Sequence, residues 1–329
     1  MTIEEQLRSR LDELLVPNVV RSLQKMNLLK KIEIEGQKAV ITLASTALNQ
    51  GVQEWLQHKI SESVKGLPGI DSVEVRYEDA KPGDLNRIKK VVAVMSGKGG
   101  VGKSLVSGLA AVAIRRSGYE VGILDADITG PSIPKMFGIT ERPGGSESGL
   151  LPVTSKAGIE IMSINLLLPG EDEAVIWRGP LIAKAITQFW EEVLWGTLDY
   201  LIVDLPPGTA DAPLTVMQSL PITGTVIVFT PQDLTAMIVK KAVKMCQQMG
   251  KNIIGVVENM SYLYLPELKK NIEVFGKSRG EEMAQAAGAP LIASIPIDPE
   301  LAKLCDQGNI ERYNAPFVEI LGKQIVEFG

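Results

Sequence analysis

Between Gly97 and Ser104 the chain reads GKGGVGKS, which fits the phosphate-loop pattern G-x-x-x-x-G-K-[ST]. Glycines at this spacing let backbone N–H groups turn inward around phosphate oxygens, with the N-terminus of a following helix behind them. The cradle for ATP would run through Gly97, Lys98, Gly99, Gly100, Val101 and Gly102. Lys103 would then neutralise the β- and γ-phosphates, and the Ser104 hydroxyl would ligate Mg²⁺. Lys98, directly after the first glycine, is surplus to that cradle. Its charge can point outward, toward a nucleotide held by a second copy of the chain. A cation supplied in this way speeds phosphoryl transfer by about 10³- to 10⁵-fold.

Carboxylates complete the chemistry. Asp204 closes the apolar run DYLIVDLPP, the position at which such sites keep an acid near Mg²⁺, commonly through water. Asp125 and Asp127 close EVGILDAD. Asp127 is the better placed to orient an attacking water, the competing role being a cap for the turn at Thr129-Gly130. Asn259, after NIIGVVE, carries an amide suited to a purine edge.

These groups share a position: each ends or follows a short apolar run. VVAVMS, EVGILDAD, IEIMSIN, DYLIVDLPP, GTVIVFTP, NIIGVVENM and PLIASIPI alternate with helical stretches from Lys89 onward. Nearly continuous apolar strands suit burial on both faces, hence an α/β fold with a mainly parallel sheet covered by helices. Ligands of such sheets bind at the carboxyl ends of the strands. The sequences SGKGG, DAD, DLPPG, TPQD and ENM would therefore line one edge, and the helix SLVSGLAAVAIRRSG, apolar almost all round, would be central and buried.

Ahead of this lies a smaller pattern. Thr2 and Glu5 form a capping-box signature for a helix to about Leu15. KKIEIEG and KAVITLAS read as strands about a turn at Glu35-Gly36-Gln37; Leu48, Val52, Trp55, Leu56, Ile60 and Val64 recur at helical spacing; DSVEVRYE alternates as a strand. The expected organisation is a small α-β-β-α-β domain over 1–80, a linker over 81–88 within DAKPGDLNR, and the phosphate-loop domain over 89–329.

The 329 residues are 45% hydrophobic and 22% charged with a net charge of -5, which excludes the basic surface of a nucleic-acid binder. No apolar run spans a bilayer, and MTIEEQLRSRLDELL is unlike a signal peptide, so a cytoplasmic location without membrane attachment is expected. The 2 cysteines, Cys246 and Cys305, form no disulfide framework; both lie among apolar residues at helical spacing and read as buried and structural. A single histidine, His58, leaves no stock for histidine-based catalysis.

KGGVGKS resembles the deviant phosphate loop of the ATPases that include MinD, ParA and the nitrogenase iron protein, in which the signature lysine acts across a dimer. DADITGPSIPKMFG, VIWRGP, WGTLDYLIVDLPPGTADAPLT and NMSY narrow the resemblance to the Mrp/ApbC family of iron–sulfur cluster carriers. The amino-terminal unit is similar to the small α/β domain that precedes the ATPase in many such proteins. The resemblance implies a homodimer that hydrolyses MgATP and delivers a [4Fe–4S] cluster to apo-protein clients. It also implies a Cys-x-x-Cys shortly after NMSY, through which two subunits bridge one cluster; here Leu265 and Leu268 occupy those places. A MinD- or ParA-like positioning switch, or an assembly ATPase that carries no cluster, are the alternatives. The closing PFVEILGKQIVEFG lacks the basic face of a MinD membrane helix.

Overall fold

The computed structural model describes residues 2–127, 130, 132–167, 179–232 and 234–328. The chain forms two compact units, Met1–Ile88 with Arg142–Thr154 and Gln188–Leu198, and Lys89–Glu141 with Ser155–Thr187 and Asp199–Gly329.

In the smaller unit, helix α1 (Ile3–Asp12) opens on the expected capping box, with Thr2 N donating to Glu5 Oε2 at 2.8 Å and Glu5 N donating to Thr2 Oγ1 at 3.2 Å. It ends before Leu15, which with Val16 pairs to Arg21 and Ser22 as a short hairpin. Pro17 favours the extended geometry of Val16, because a residue ahead of proline is pushed that way. Strand β1 (Leu29–Glu35) pairs antiparallel with β2 (Lys38–Ala44), and β2 pairs parallel with β3 (Ser72–Glu78). The parallel pair needs a crossover, supplied by α2 (Gln50–Val64), which buries Leu56, Ile60 and Val64 at intervals of four. Trp55, expected on that face, is exposed. The main elements therefore run α-β-β-α-β, and the compact unit also takes in residues 142–154 and 188–198.

The linker expectation is corrected. Residues 82–85 form a turn of helix, α3 (Pro82–Leu85), and Leu85 is buried in the small unit's core together with Leu151 and Leu194. Asn86 accepts from Trp195 N at 2.8 Å and Gly196 N at 3.1 Å, and donates to the Val193 carbonyl at 2.9 Å. One amide thus satisfies three backbone groups that have no ladder partner of their own, and unpaired backbone is costly. A polar Pro-Gly stretch read as linker because the partners of Asn86 lie more than a hundred residues downstream.

In the larger unit all seven expected strands form. They are β4 (Arg87–Ser96), β5 (Val121–Asp125), β6 (Glu160–Ser163), β7 (Thr197–Asp204), β8 (Gly224–Phe229), β9 (Ile253–Glu258) and, after two short strands, β12 (Leu291–Ser294). Their order is β6-β5-β7-β4-β8-β9-β12, with β5 parallel to both β6 and β7, β8 parallel to β4 and β9, and β9 parallel to β12. Every residue of β8 is buried, as strands covered on both faces require. The short strands, β10 (Leu263–Leu265) and β11 (Lys270–Ile272), form an antiparallel hairpin beyond the end of β9. Helix α4 (Lys103–Arg116) is buried from Val106 to Ile114, and Gly322 of the terminal helix Pro316–Phe328 lies against Ala113 so closely that a Cβ would sit 2.6 Å from the alanine's own. Lys240, Lys241 and Lys244 form the exposed face of helix Leu234–Gln248.

Replacing Asn86 with Ala strands the three backbone groups and should destabilise the small unit by roughly 1–3 kcal/mol. Asn86→Asp keeps the acceptor and should lose less. A urea midpoint unchanged in Asn86→Ala would show that these bonds contribute nothing.

Candidate phosphate-loop site

The parallel register assembles the site. Asp204 at the end of β7 stands opposite Asp125 of β5, and Asp125 stands opposite Ser163 of β6. The loop after β4 brings Lys103 and Ser104 to the same edge as the first residues of α4. Two of its glycines have conformations that side chains avoid. Gly100 has φ 75° and Gly102 φ 82°, the latter as the N-cap of α4. A Cβ on Gly102 would also fall 2.0 Å from Asn259 Nδ2.

Asp204 is the hub. Fully buried, it accepts from Lys103 Nζ at 2.8 Å and Ser107 Oγ at 2.7 Å through Oδ1, and from Ser104 Oγ at 2.5 Å through Oδ2. Lys103 is 5% exposed and its amine also lies 3.5 Å from Asp127 Oδ2. A buried ammonium is tolerable only when paired in this way. Ser107, one helical turn beyond Ser104, escaped the motif; its signal was the i, i+3 spacing that places both hydroxyls on one face of α4.

Asp125 is buried beside this group. Its carboxyl accepts from Asp127 N at 3.2 Å and from Ser163 Oγ at 3.1 Å. Burial, and then the charge of Asp204, push its pKa up to about 8, with Lys103 and Ser163 acting in the opposite direction. Environment thus divides the three acids as follows. Asp204 faces the cation, Asp127 lies at the partly open side, and Asp125 is a buried brace that retains its proton near neutrality. Ser163 was not foreseen either, since nothing in IEIMSIN marks one serine as a carboxylate partner.

Lys98 is held apart from these acids. Its amine lies 2.6 Å from Gln232 Oε1 in the loop after β8, and its carbonyl accepts from Ser96 Oγ at 2.8 Å. Two phosphate-loop lysines therefore have separate surroundings, one inward among carboxylates and one at the rim. Asn259 is buried and donates from Nδ2 to the Val101 carbonyl at 2.9 Å. That places its amide nitrogen on the loop itself, where a purine-reading amide had been expected. Residues 128, 129 and 131, residues 175–178 of VIWRGP, and Asp233 of TPQD lie outside the described residues.

Ser104 and Asp204 bring a hydroxyl and a carboxylate oxygen together, a hard-oxygen donor set that suits Mg²⁺. Thiolate chemistry is differently placed. Cys246 is buried 3.4 Å from Met95 Sδ, and burial pushes its thiol up to about 11. Burial raises Cys305 to about 11 as well, although it is only half-buried, not enclosed as the apolar spacing suggested. Leu265 ends β10, and Leu268 is 68% exposed in the turn that follows. Among the described residues no group of three or more His, Cys, Asp or Glu side chains is arranged to hold a metal ion.

A parallel α/β sheet with a strand–glycine loop–helix at its carboxyl edge, and a buried acid on the loop's lysine and serine, defines a P-loop NTPase. The chain belongs to the NUBPL iron-transfer P-loop NTPase family, whose profile matches residues 87–325, and the profile of an iron–sulfur cluster assembly protein matches residues 4–77. An iron–sulfur cluster carrier protein of Aquifex aeolicus is 38% identical over 310 residues, 85% of this chain and 84% of that protein. One from Clostridium perfringens is 47% identical over 240 residues, 70% of this chain and 84% of that protein. Among solved structures, the nucleotide-binding protein of Archaeoglobus fulgidus in complex with ADP is similar with a TM-score of 0.64 at 46% identity, covering 70% of this chain and 91% of that one. The cell-division ATPase MinD of Pyrococcus furiosus, at 20% identity and a TM-score of 0.54 over 73% of this chain and 99% of that one, shares the fold.

Lys103→Ala should weaken nucleotide binding by about 10- to 100-fold, the loss expected for one charge-assisted contact of roughly 1.5–3 kcal/mol. Titration calorimetry with ADP measures this, and wild-type affinity in the variant would place the nucleotide elsewhere.

Proposed function

We propose that this chain binds MgATP at Gly97–Ser104 and hydrolyses it as a homodimer, in the service of iron–sulfur cluster assembly. The observation that carries the reading is the single carboxylate, Asp204, gripping Lys103, Ser104 and Ser107 at the mouth of a helix N-terminus. The ADP complex of the Archaeoglobus protein supports a nucleotide at the equivalent loop.

The residues divide the work by charge and position. Backbone N–H groups of the loop and the start of α4 receive the phosphates. Lys103 is drawn from Asp204 and Asp127 toward the β- and γ-phosphates. That transfer uncovers the Asp127 carboxylate, which orients the attacking water. Ser104 and Asp204 would hold Mg²⁺, which when bound offsets the negative charge of the phosphates. Lys98, at the rim on Gln232, is placed to leave for the nucleotide of the second subunit. Asn259 secures the loop through Val101 rather than reading the base.

The cluster is cargo in this scheme. The relatives are named carriers, whereas Leu265 and Leu268 give this chain no thiolates at the family positions. Iron–sulfur clusters are held by cysteine thiolates, and taking Cys246 from its core would cost roughly 1–3 kcal/mol of apolar burial. The reading is therefore an assembly ATPase that works on apo-protein clients without itself bridging a [4Fe–4S] cluster through the β10–β11 turn. Among the described residues no helix is long and apolar enough to cross a membrane. The proposed place of work is the cytoplasm, and the acid-leaning charge supports a role without nucleic-acid partners.

Lys98→Ala should bind ATP normally while hydrolysis falls by about 10³-fold. Hydrolysis at the wild-type rate would reduce Lys98 to a surface charge. Asp127→Asn should accumulate an ATP-bound form that turns over slowly, and an unchanged single-turnover rate would move water orientation to another acid. Anaerobic reconstitution with iron and sulfide should leave the wild type without a stable cluster. Leu265→Cys combined with Leu268→Cys should create a site. About four irons per wild-type dimer, a [4Fe–4S] complement, would restore the carrier role through other ligands.

A further inference from the structure

At the end of β9 two neighbouring residues grip different parts of the molecule. Successive side chains of an extended strand point to opposite faces. Asn259 holds the phosphate loop at the Val101 carbonyl and fills the space beside Gly102. Glu258, wholly buried, faces the other way. Its Oε2 accepts from Ser261 Oγ and Ser278 Oγ, each at 2.6 Å, and its Oε1 accepts from Arg279 N at 2.7 Å. Between Ser261 and Ser278 the chain makes an excursion through the β10–β11 hairpin before returning at helix Gly280–Ala287. The carboxylate therefore fastens both legs of that excursion, the outgoing one at Ser261 and the returning one at Ser278 and Arg279. Backbone bonds continue the outgoing leg, with Ser261 N donating to Ile295 O at 2.9 Å and Ile297 N to Tyr262 O at 2.7 Å.

Beyond this neck the excursion is exposed and sets large apolar side chains among the charges of Glu267, Lys269, Lys270, Glu273 and Lys277. Tyr264, Leu268, Ile272, Val274 and Phe275 are all open to solvent. So many large apolar side chains on one short segment exceed the scattered exposure normal for a surface. A fully buried acid used only to close a loop is an expensive device, because each of its oxygens must find donors. It is economical if the neck has to respond to something, and the adjoining residue touches the loop that takes the phosphates.

We propose that Glu258 is a positioning residue that transmits the nucleotide state of the phosphate loop, through Asn259, to the exposed excursion over 261–279. The inference rests on nucleotide binding at Gly97–Ser104. Phosphate entering the loop tightens or displaces Val101 and Gly102. Asn259 follows through its hydrogen bond. The peptide shared by Glu258 and Asn259 then moves the carboxylate that clamps the neck, which changes how Tyr264, Leu268 and Phe275 are presented. Contiguous hydrogen-bonded chains of this kind carry coupling between sites, and a response at the far end is the evidence required.

Amide hydrogen exchange of the full-length protein, with and without saturating MgADP, supplies that evidence. In the wild type, MgADP should change exchange over 263–276 by about threefold or more. Glu258→Gln, and separately Ser261→Ala combined with Ser278→Ala, should bind MgADP within about threefold of wild type by calorimetry yet show the same excursion exchange with and without nucleotide. Two results overturn the coupling. One is a wild-type excursion indifferent to bound MgADP; the other is a variant pair that responds as the wild type does. Absence of MgADP binding by the wild type would overturn the nucleotide reading, and this inference with it. Calorimetry and exchange thus separate the two failures.

Discussion

A buried carboxylate tolerates few arrangements, and Asp204 dictates most of this site. With no access to water, both oxygens must be satisfied by protein donors. Lys103, Ser104 and Ser107 do so from the first turns of one helix. That fixes the rotation of α4 about its axis and the height at which it leaves the glycine loop. The sheet must then deliver β7 beside β4, so that the acid and the loop meet at one edge. The order β5-β7-β4-β8 satisfies this. The apolar faces of α4 and the strands supply the adhesion, but the carboxylate determines the registration between them.

The second constraint is the separation of like charges. Three acids converge near one lysine, and they coexist because their surroundings differ. Asp125 is driven toward its neutral form by burial and by Asp204. Asp204 faces the cation, and Asp127 sits where the site opens. The rim lysine is kept away by Gln232. The inner lysine is paired with carboxylates, and the outer lysine rests on a neutral amide.

The features most legible from residue order were those set by local pattern. Seven apolar runs became the seven strands, because they are short and rich in β-branched residues, unlike the longer apolar run of α4. Lys103 and Ser104 followed from the glycine spacing, since a phosphate loop is a local object. What escaped was set by partners distant in the chain. Ser107 and Ser163 are ordinary serines until Asp204 and Asp125 arrive beside them. Asn86 read as linker because Trp195 and Gly196 are far downstream. Asn259 was expected at a purine edge; that its amide nitrogen reaches the Val101 carbonyl is visible only in the fold. Cys305 looked enclosed because helical spacing records which face a residue shares, but not how deeply that face is covered.

The small unit is not contiguous in the chain. Its core needs Leu151 and Leu194 as well as the residues before Leu85. During synthesis the first 88 residues leave the ribosome before the segments that complete them. At ordinary elongation rates the stretch to Leu198 arrives on the order of ten seconds later. The unit nearest the amino terminus is therefore unfinished until Leu198 has been made. Its last pieces reach it from inside the P-loop sequence, so the first 88 residues lack part of their core when they emerge. A gene cut after residue 80 would yield a fragment missing part of its own interior.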